Sequence, residues 1–216
     1  MPLPFSRLQC HTRRGSDLCF VNSPVVLATA GLSHGHGAAG SSICLWDALL
    51  PPSQALVGSC SAHADGARCV LHCIADSSLV SGGERGDLAI FDLRQRRIRK
   101  HWQAHTMAVQ ALALSPRKKF FFSASADSDI MLWDLDDPCH HTPATESLNS
   151  GLASSSVSPE SHTKGHWPQA HEPNALLAPL VAKLRQSGIN TLQWSSQPAS
   201  LISGGCDGKV KLWTVR

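Results

Sequence analysis

Phe121-Phe122-Ser123-Ala124-Ser125-Ala126-Asp127-Ser128-Asp129-Ile130-Met131-Leu132-Trp133-Asp134 is the stretch whose reading decides the fold. An apolar run ending in small residues, a turn carrying Asp127 and Asp129, and a second apolar run closed by Trp-Asp predict two half-buried strands joined tightly. His105 stands 18 residues before Ser123, and Trp133 stands 10 after it. Moving outward, the ending Ile130-Met131-Leu132-Trp133-Asp134 has counterparts in Ile43-Cys44-Leu45-Trp46-Asp47, Leu88-Ala89-Ile90-Phe91-Asp92 and Val210-Lys211-Leu212-Trp213-Thr214.

The hydroxyl residues upstream of these endings are Thr29, Ser81, Ser123 and Ser203, each 10 before its aromatic except Thr29, where an inserted loop makes the spacing 17. Counting back 18 residues reaches His11, His63 and His105, but Arg185 in the fourth copy. A histidine, a hydroxyl and an aromatic recurring about every 42 residues is the period of four-stranded propeller blades. No helical pattern of comparable length competes with the strands.

These residues resemble the WD-repeat propellers, with Trp46-Asp47 and Trp133-Asp134 as the dipeptide and Ala-His at 62–63 and 104–105 in place of Gly-His. The resemblance implies an all-β propeller of four recognisable blades, part of a larger ring. It also implies a hydrogen-bonded set in each blade, complete in the third as His105, Ser123, Asp127 and Trp133. A buried imidazole and indole N–H each need a partner, and a closed chain of bonds locks the turn to the strand. The second blade departs, with Arg85 in the Asp place and Phe91 in the Trp place; the last keeps Ser203, Asp207 and Trp213. His11, Thr29, Trp46, His63, Ser81, Phe91, His105, Ser123, Asp127, Trp133, Ser203, Asp207 and Trp213 are therefore expected to hold blades together rather than perform chemistry.

Insertions divide the chain into blades one to three over 1–135, a Ser/Pro/His-rich segment over 136–170 whose composition predicts disorder, and a last blade over 171–216. Within the last, 173–186 (PNALLAPLVAKLRQ) reads as a short helix broken by Pro179. The match of Gln169-Ala170-His171 to Gln103-Ala104-His105 favours His171 over Arg185 as the missing marker. The loop 32–41 (LSHGHGAAGS) enlarges the first blade between its second and third strands.

The 216 residues carry 19 Lys and Arg against 16 Asp and Glu, a net charge of +3 too small to call for nucleic acid. Eight Lys or Arg with no acidic residue nevertheless lie between Arg94 and Lys119. Strand geometry brings Arg94, Arg96, Arg97, Arg117, Lys118 and Lys119 to one face, a candidate patch for an acidic protein or anionic membrane. The eight cysteines show no C-x-x-C, so no metal is expected; Cys69, His72 and Cys73, or Cys139, His140 and His141, come nearest to a ligand set. No P-loop, G-x-S-x-G or H-E-x-x-H is present, and neither catalytic residue, cofactor nor small-molecule substrate is expected.

More specific runs are Leu8-Gln9-Cys10-His11, residues 26–33, Ser81-Gly82-Gly83, and Phe91-Asp92-Leu93-Arg94-Gln95-Arg96 with Gln103-Ala104-His105. In order and spacing they resemble the C-terminal propeller of the DmX-like, or rabconnectin, proteins. That resemblance implies a scaffold promoting assembly of the vacuolar-type proton pump. Its implied partners are peripheral-sector pump subunits, and its implied location is cytoplasmic, peripheral to endomembranes or vesicles. A generic adaptor, such as a ubiquitin-ligase receptor or trafficking component, and an anionic-lipid-binding propeller are the alternatives.

Overall fold

A computed structural model describes residues 8–32, 41–115, 120–136, 184–186, 188–196 and 199–214. Consecutive strands pair antiparallel into four sheets, each a meander. Blade one comprises β1 (Arg14–Val21), β2 (Ser23–Leu32), β3 (Ile43–Asp47) and β4 (Leu56–Cys60). Blade two comprises β5 (Ala67–Cys73), β6 (Ser78–Gly83), β7 (Asp87–Asp92) and β8 (Arg97–Gln103). Blade three comprises β9 (Val109–Leu114), β10 (Phe120–Ser125), β11 (Asp129–Asp134) and β12 (Leu184–Arg185), and blade four β13 (Ile189–Ser196), β14 (Ala199–Gly205) and β15 (Val210–Thr214).

The two-residue period of a strand explains the packing. Phe121 opposes Trp133 and Phe122 opposes Leu132, so neighbouring residues face opposite sides of blade three. Phe121 and Trp133 pack with Cys69, Val80, Leu88 and Ile90 of blade two. Phe122, Ala124 and Ile130 pack with Ile189, Leu192, Leu201 and Trp213 of blade four. A third cluster joins Ala28, Ala30 and Ile43 of blade one to Val70, Leu79 and Phe91 of blade two. Each cluster thus sits between sequence-adjacent blades, and a middle blade is apolar on both faces, which is why β10 reads as an almost continuous apolar run.

Blades one and four differ. Leu18 on β1 opposes Thr29 as Val70 opposes Ser81 and Leu192 opposes Ser203. Val70 and Leu192 are buried, but Leu18 is 60% exposed. At the other end, Val210 opposes Gly204 as Ile130 opposes Ala124; Ile130 is fully buried and Val210 is 71% exposed. Burying such a side chain is worth roughly 1.5–3 kcal/mol, and these two positions do not collect it.

Two expectations change. Leu184 and Arg185 pair with Ile130 and Asp129 as the outer strand of blade three, so the end of the expected helix is strand. They belong to the third blade rather than the last, because β11 needs a partner for its free edge. His171, residues 173–183 and the segment 137–170 lie outside the described residues. Among the described residues, no helix is long and apolar enough to cross a membrane.

Candidate interaction surface and the bonds that shape it

Turns at one end of the sheets are tied down by the marker residues. In blade three, Trp133 Nε1 donates to Ser123 Oγ at 2.7 Å, His105 Nε2 lies 2.7 Å from the same oxygen, and His105 Nδ1 lies 3.2 Å from Asp127 Oδ2. One tautomer satisfies every atom: the indole donates to the hydroxyl, the hydroxyl to Nε2, and Nδ1–H to the carboxylate. Asp127 also accepts from the backbone N–H of Thr106 and, through Oδ1, that of Asp129. Burial raises its carboxyl, but these N–H groups and His105 more than offset this and hold it below the usual carboxylate range. Burial lowers His105, keeping its imidazole neutral.

Blade one has the same core without the carboxylate: Trp46 Nε1 donates to Thr29 Oγ1 at 3.0 Å, and His11 Nε2 lies 3.0 Å from it. In blade four Arg185 pairs with Asp129 in the outer strand of blade three and does not stand in the marker's place. Gln186 does the work: its Oε1 accepts from Ser203 Oγ at 2.6 Å and its Nε2 donates to Asp207 Oδ1 at 3.1 Å, while Trp213 Nε1 donates to Ser203 at 2.9 Å. The amide supplies the acceptor and the donor that a neutral imidazole would, and its second N–H donates to the Lys209 carbonyl at 2.8 Å. The fixed count of 18 missed it, since Gln186 lies 17 before Ser203.

Blade two is rebuilt. Arg85, in the turn, pairs with Asp65. Asp87, at the start of β7, supplies the carboxylate: its Oδ2 lies 2.5 Å from His63 Nδ1 and 2.8 Å from His101 Nε2. His63 Nε2 lies 2.8 Å from Ser81 Oγ, and Phe91 packs into the cluster shared with blade one, offering no N–H. Burial raises the Asp87 carboxyl, but the two imidazoles outweigh it and hold it at about 2. Neither Asp87 nor His101 is marked by the repeat pattern, which assigns the carboxylate to turn position 85.

At the opposite end of the sheets, the β7–β8 turn carries exposed Arg94, Arg96 and Arg97. Asp92 Oδ1 accepts from the N–H groups of Arg94 and Gln95 at 2.8 and 2.9 Å, and Arg96 has φ +53°, which fixes the turn. Arg99 turns elsewhere, to Asp76 Oδ2 at 2.6 Å and the Leu135 carbonyl at 3.0 Å. The β5–β6 turn is joined to this one by Leu93 N–H donating to the Ser77 carbonyl at 3.1 Å, and it exposes Ile74. Leu49 is exposed on the β3–β4 turn at the same end. Arg117, Lys118 and Lys119 lie outside the described residues.

Meandering blades, cross-linked in blades one, three and four by a hydroxyl that binds both an indole and the preceding imidazole or amide, are the arrangement of WD-repeat propeller blades. Consistently, residues 96–134 and 179–214 match the WD domain, G-beta repeat, each match running from the outer strand of one blade through the first three of the next. The chain resembles the DmX-like proteins: 39% identity over 135 residues to DmX-like protein 1 of Mus musculus and 37% over 135 residues to that of Homo sapiens. Each alignment covers 62% of this chain, which spans about 4% of the length of these relatives. The crystal structure of the computationally designed Ika4 protein superposes with a TM-score of 0.63 at 19% identity, covering 100% of both chains, and speaks to the fold alone.

Proposed function

We propose that this chain is a protein-interaction scaffold of the DmX-like kind, contacting peripheral-sector subunits of a vacuolar-type proton pump and promoting pump assembly at endomembranes or vesicles. The observation that carries the reading is the likeness to DmX-like protein 1 over 62% of the chain. The geometry agrees with it: the buried hydroxyl-centred sets of blades one, three and four hold turns, the arrangement of a rigid platform. The test is a pull-down from cytosol with the tagged chain at two salt concentrations. Pump subunits retained at both salts support the reading, and their absence with folded protein rejects it in favour of a generic adaptor.

A second reading rests on one surface. Exposed Arg94, Arg96 and Arg97 share an end of the sheets with exposed Ile74 and Leu49, the pairing of charge and apolar tips that suits an anionic membrane. Binding to phosphatidylserine vesicles that vanishes in Arg94→Gln/Arg96→Gln/Arg97→Gln protein is the expected sign. Equal binding by the triple variant removes it.

A further inference from the structure

We propose that His63, Asp87 and His101 of blade two form a binding site for a divalent ion of the zinc class. Their donor atoms, His63 Nδ1, an Asp87 carboxylate oxygen and His101 Nε2, lie within 4.8 Å of one another. Two imidazoles and a carboxylate are a ligand set that such ions take, with a further position left for water.

The strand register brings the set together. Asp87 opposes Gln103 and Ala89 opposes His101, so Asp87 and His101 are diagonal neighbours on one face of the β7–β8 pair. His63 arrives from the loop between β4 and β5. The two rings stand edge to face, 6.0 Å between centroids and 68° between planes, so their nitrogens converge without the rings stacking. Gly83 keeps the space clear, since a Cβ there would strike Asp87 Oδ1 and come within 2.6 Å of His63 Nδ1. Exposure is graded, with side-chain values of 1% for His63, 12% for Asp87 and 47% for His101, which leaves one side open to an ion and its water.

The change from Trp to Phe91 matters to the tautomer. In blade three the indole donates to Ser123, whose hydroxyl then donates to His105 Nε2, leaving the proton on Nδ1. Ser81 receives no such bond from Phe91 and is free to accept from His63 Nε2–H. In the metal-free chain the proton on Nδ1 is held against Asp87 at 2.5 Å; an ion entering there moves it to Nε2, where Ser81 accepts its hydrogen bond and becomes the outer partner that orients a ligating imidazole. Bond lengths of ~2.0–2.2 Å to the ion require the donor atoms to stand about 3.3 Å apart. The His63–Asp87 pair at 2.5 Å and the His101–Asp87 pair at 2.8 Å would both open to that spacing on binding, His101 from the half-exposed side.

The full chain, freed of metal, is titrated with Zn²⁺ by calorimetry and with Co²⁺ as a spectroscopic substitute. The expected result is one equivalent bound, with a weak d–d absorption and no sulfur-to-cobalt charge transfer. Because His101 is half exposed, His101→Gln leaves the fold in place, and it is expected to weaken Zn²⁺ binding by more than about tenfold, the least that loss of a ligand's outer partner costs. A His140→Gln/His141→Gln variant is expected to keep the parent affinity. Undiminished binding in His101→Gln, a thiolate charge-transfer band, or no stoichiometric binding by the parent each overturns the proposal.

Discussion

Blades two and three carry the same marker histidine and the same serine, yet they spend them differently. In blade three an indole, a hydroxyl, an imidazole and a turn carboxylate form a chain of four groups, every one buried or nearly so. In blade two the indole is gone, the carboxylate has moved from the turn to the strand, and a second imidazole reaches it from the solvent side. The backbone is scarcely altered: both blades keep the same register between second and third strands. Side-chain networks in this fold are thus replaceable parts, and a blade that loses its usual lock can hold its turn with a new one.

Cutting each network at its serine gives the widest separation between the blades. Ser123→Ala orphans a buried indole N–H and a buried imidazole at once and is expected to cost about 3 kcal/mol in urea unfolding. Ser81→Ala orphans only the imidazole and is expected to cost about half that; equal losses would mean that Trp133 contributes nothing through its bond. Acid comes next. Asp87 is held at about 2 against an ordinary carboxyl near 4, so it stabilises the fold above about pH 4 and loses this as pH falls toward about 2, a change of about 2 kcal/mol. Asp87→Asn is expected to remove that part of the pH dependence in stability measured from pH 6 to pH 2.

His11 and His105 act in the same direction at milder acidity. Their lowered values mean that the unfolded chain takes up protons first as pH drops below about 6.5, so stability declines from there. Trp133→Phe, which gives blade three the aromatic of blade two, is expected to cost about 1.5 kcal/mol in the same urea assay. Gln186→His, which restores the usual marker in blade four, is expected to cost about 1 kcal/mol, since the imidazole keeps one donor and one acceptor but loses the amide's second donor bond, to the Lys209 carbonyl. No loss at all would show that the bond from Gln186 to the Lys209 carbonyl contributes nothing.

The sequence showed the repeat because its signals are local. A hydroxyl 10 residues before a tryptophan spans one hairpin, and two strands in register must place them side by side. Where the partner comes across several elements, the sequence was silent. Asp87 substitutes for a turn residue from a position two further along, which only the pairing of β7 with β8 connects to His101. Gln186 is neither a histidine nor 18 residues before Ser203, and the long segment before it separates β12 from the rest of blade three. The basic run was legible as charge but not as surface: Arg94, Arg96 and Arg97 are exposed, whereas Arg99 is committed to Asp76.

The three inter-blade clusters each join a blade only to its neighbour in sequence, which makes the stack resemble a row of dominoes more than a single core. In such a row the cost of detaching a member depends on how many neighbours it must leave. Blades two and three each have two, and blades one and four carry the uncovered Leu18 and Val210 on their far sides. Amide protons in β6, β7, β10 and β11 should therefore exchange with solvent more slowly than those in β1 and β15, and a gentle mechanical pull should peel the stack from its ends, one blade at a time.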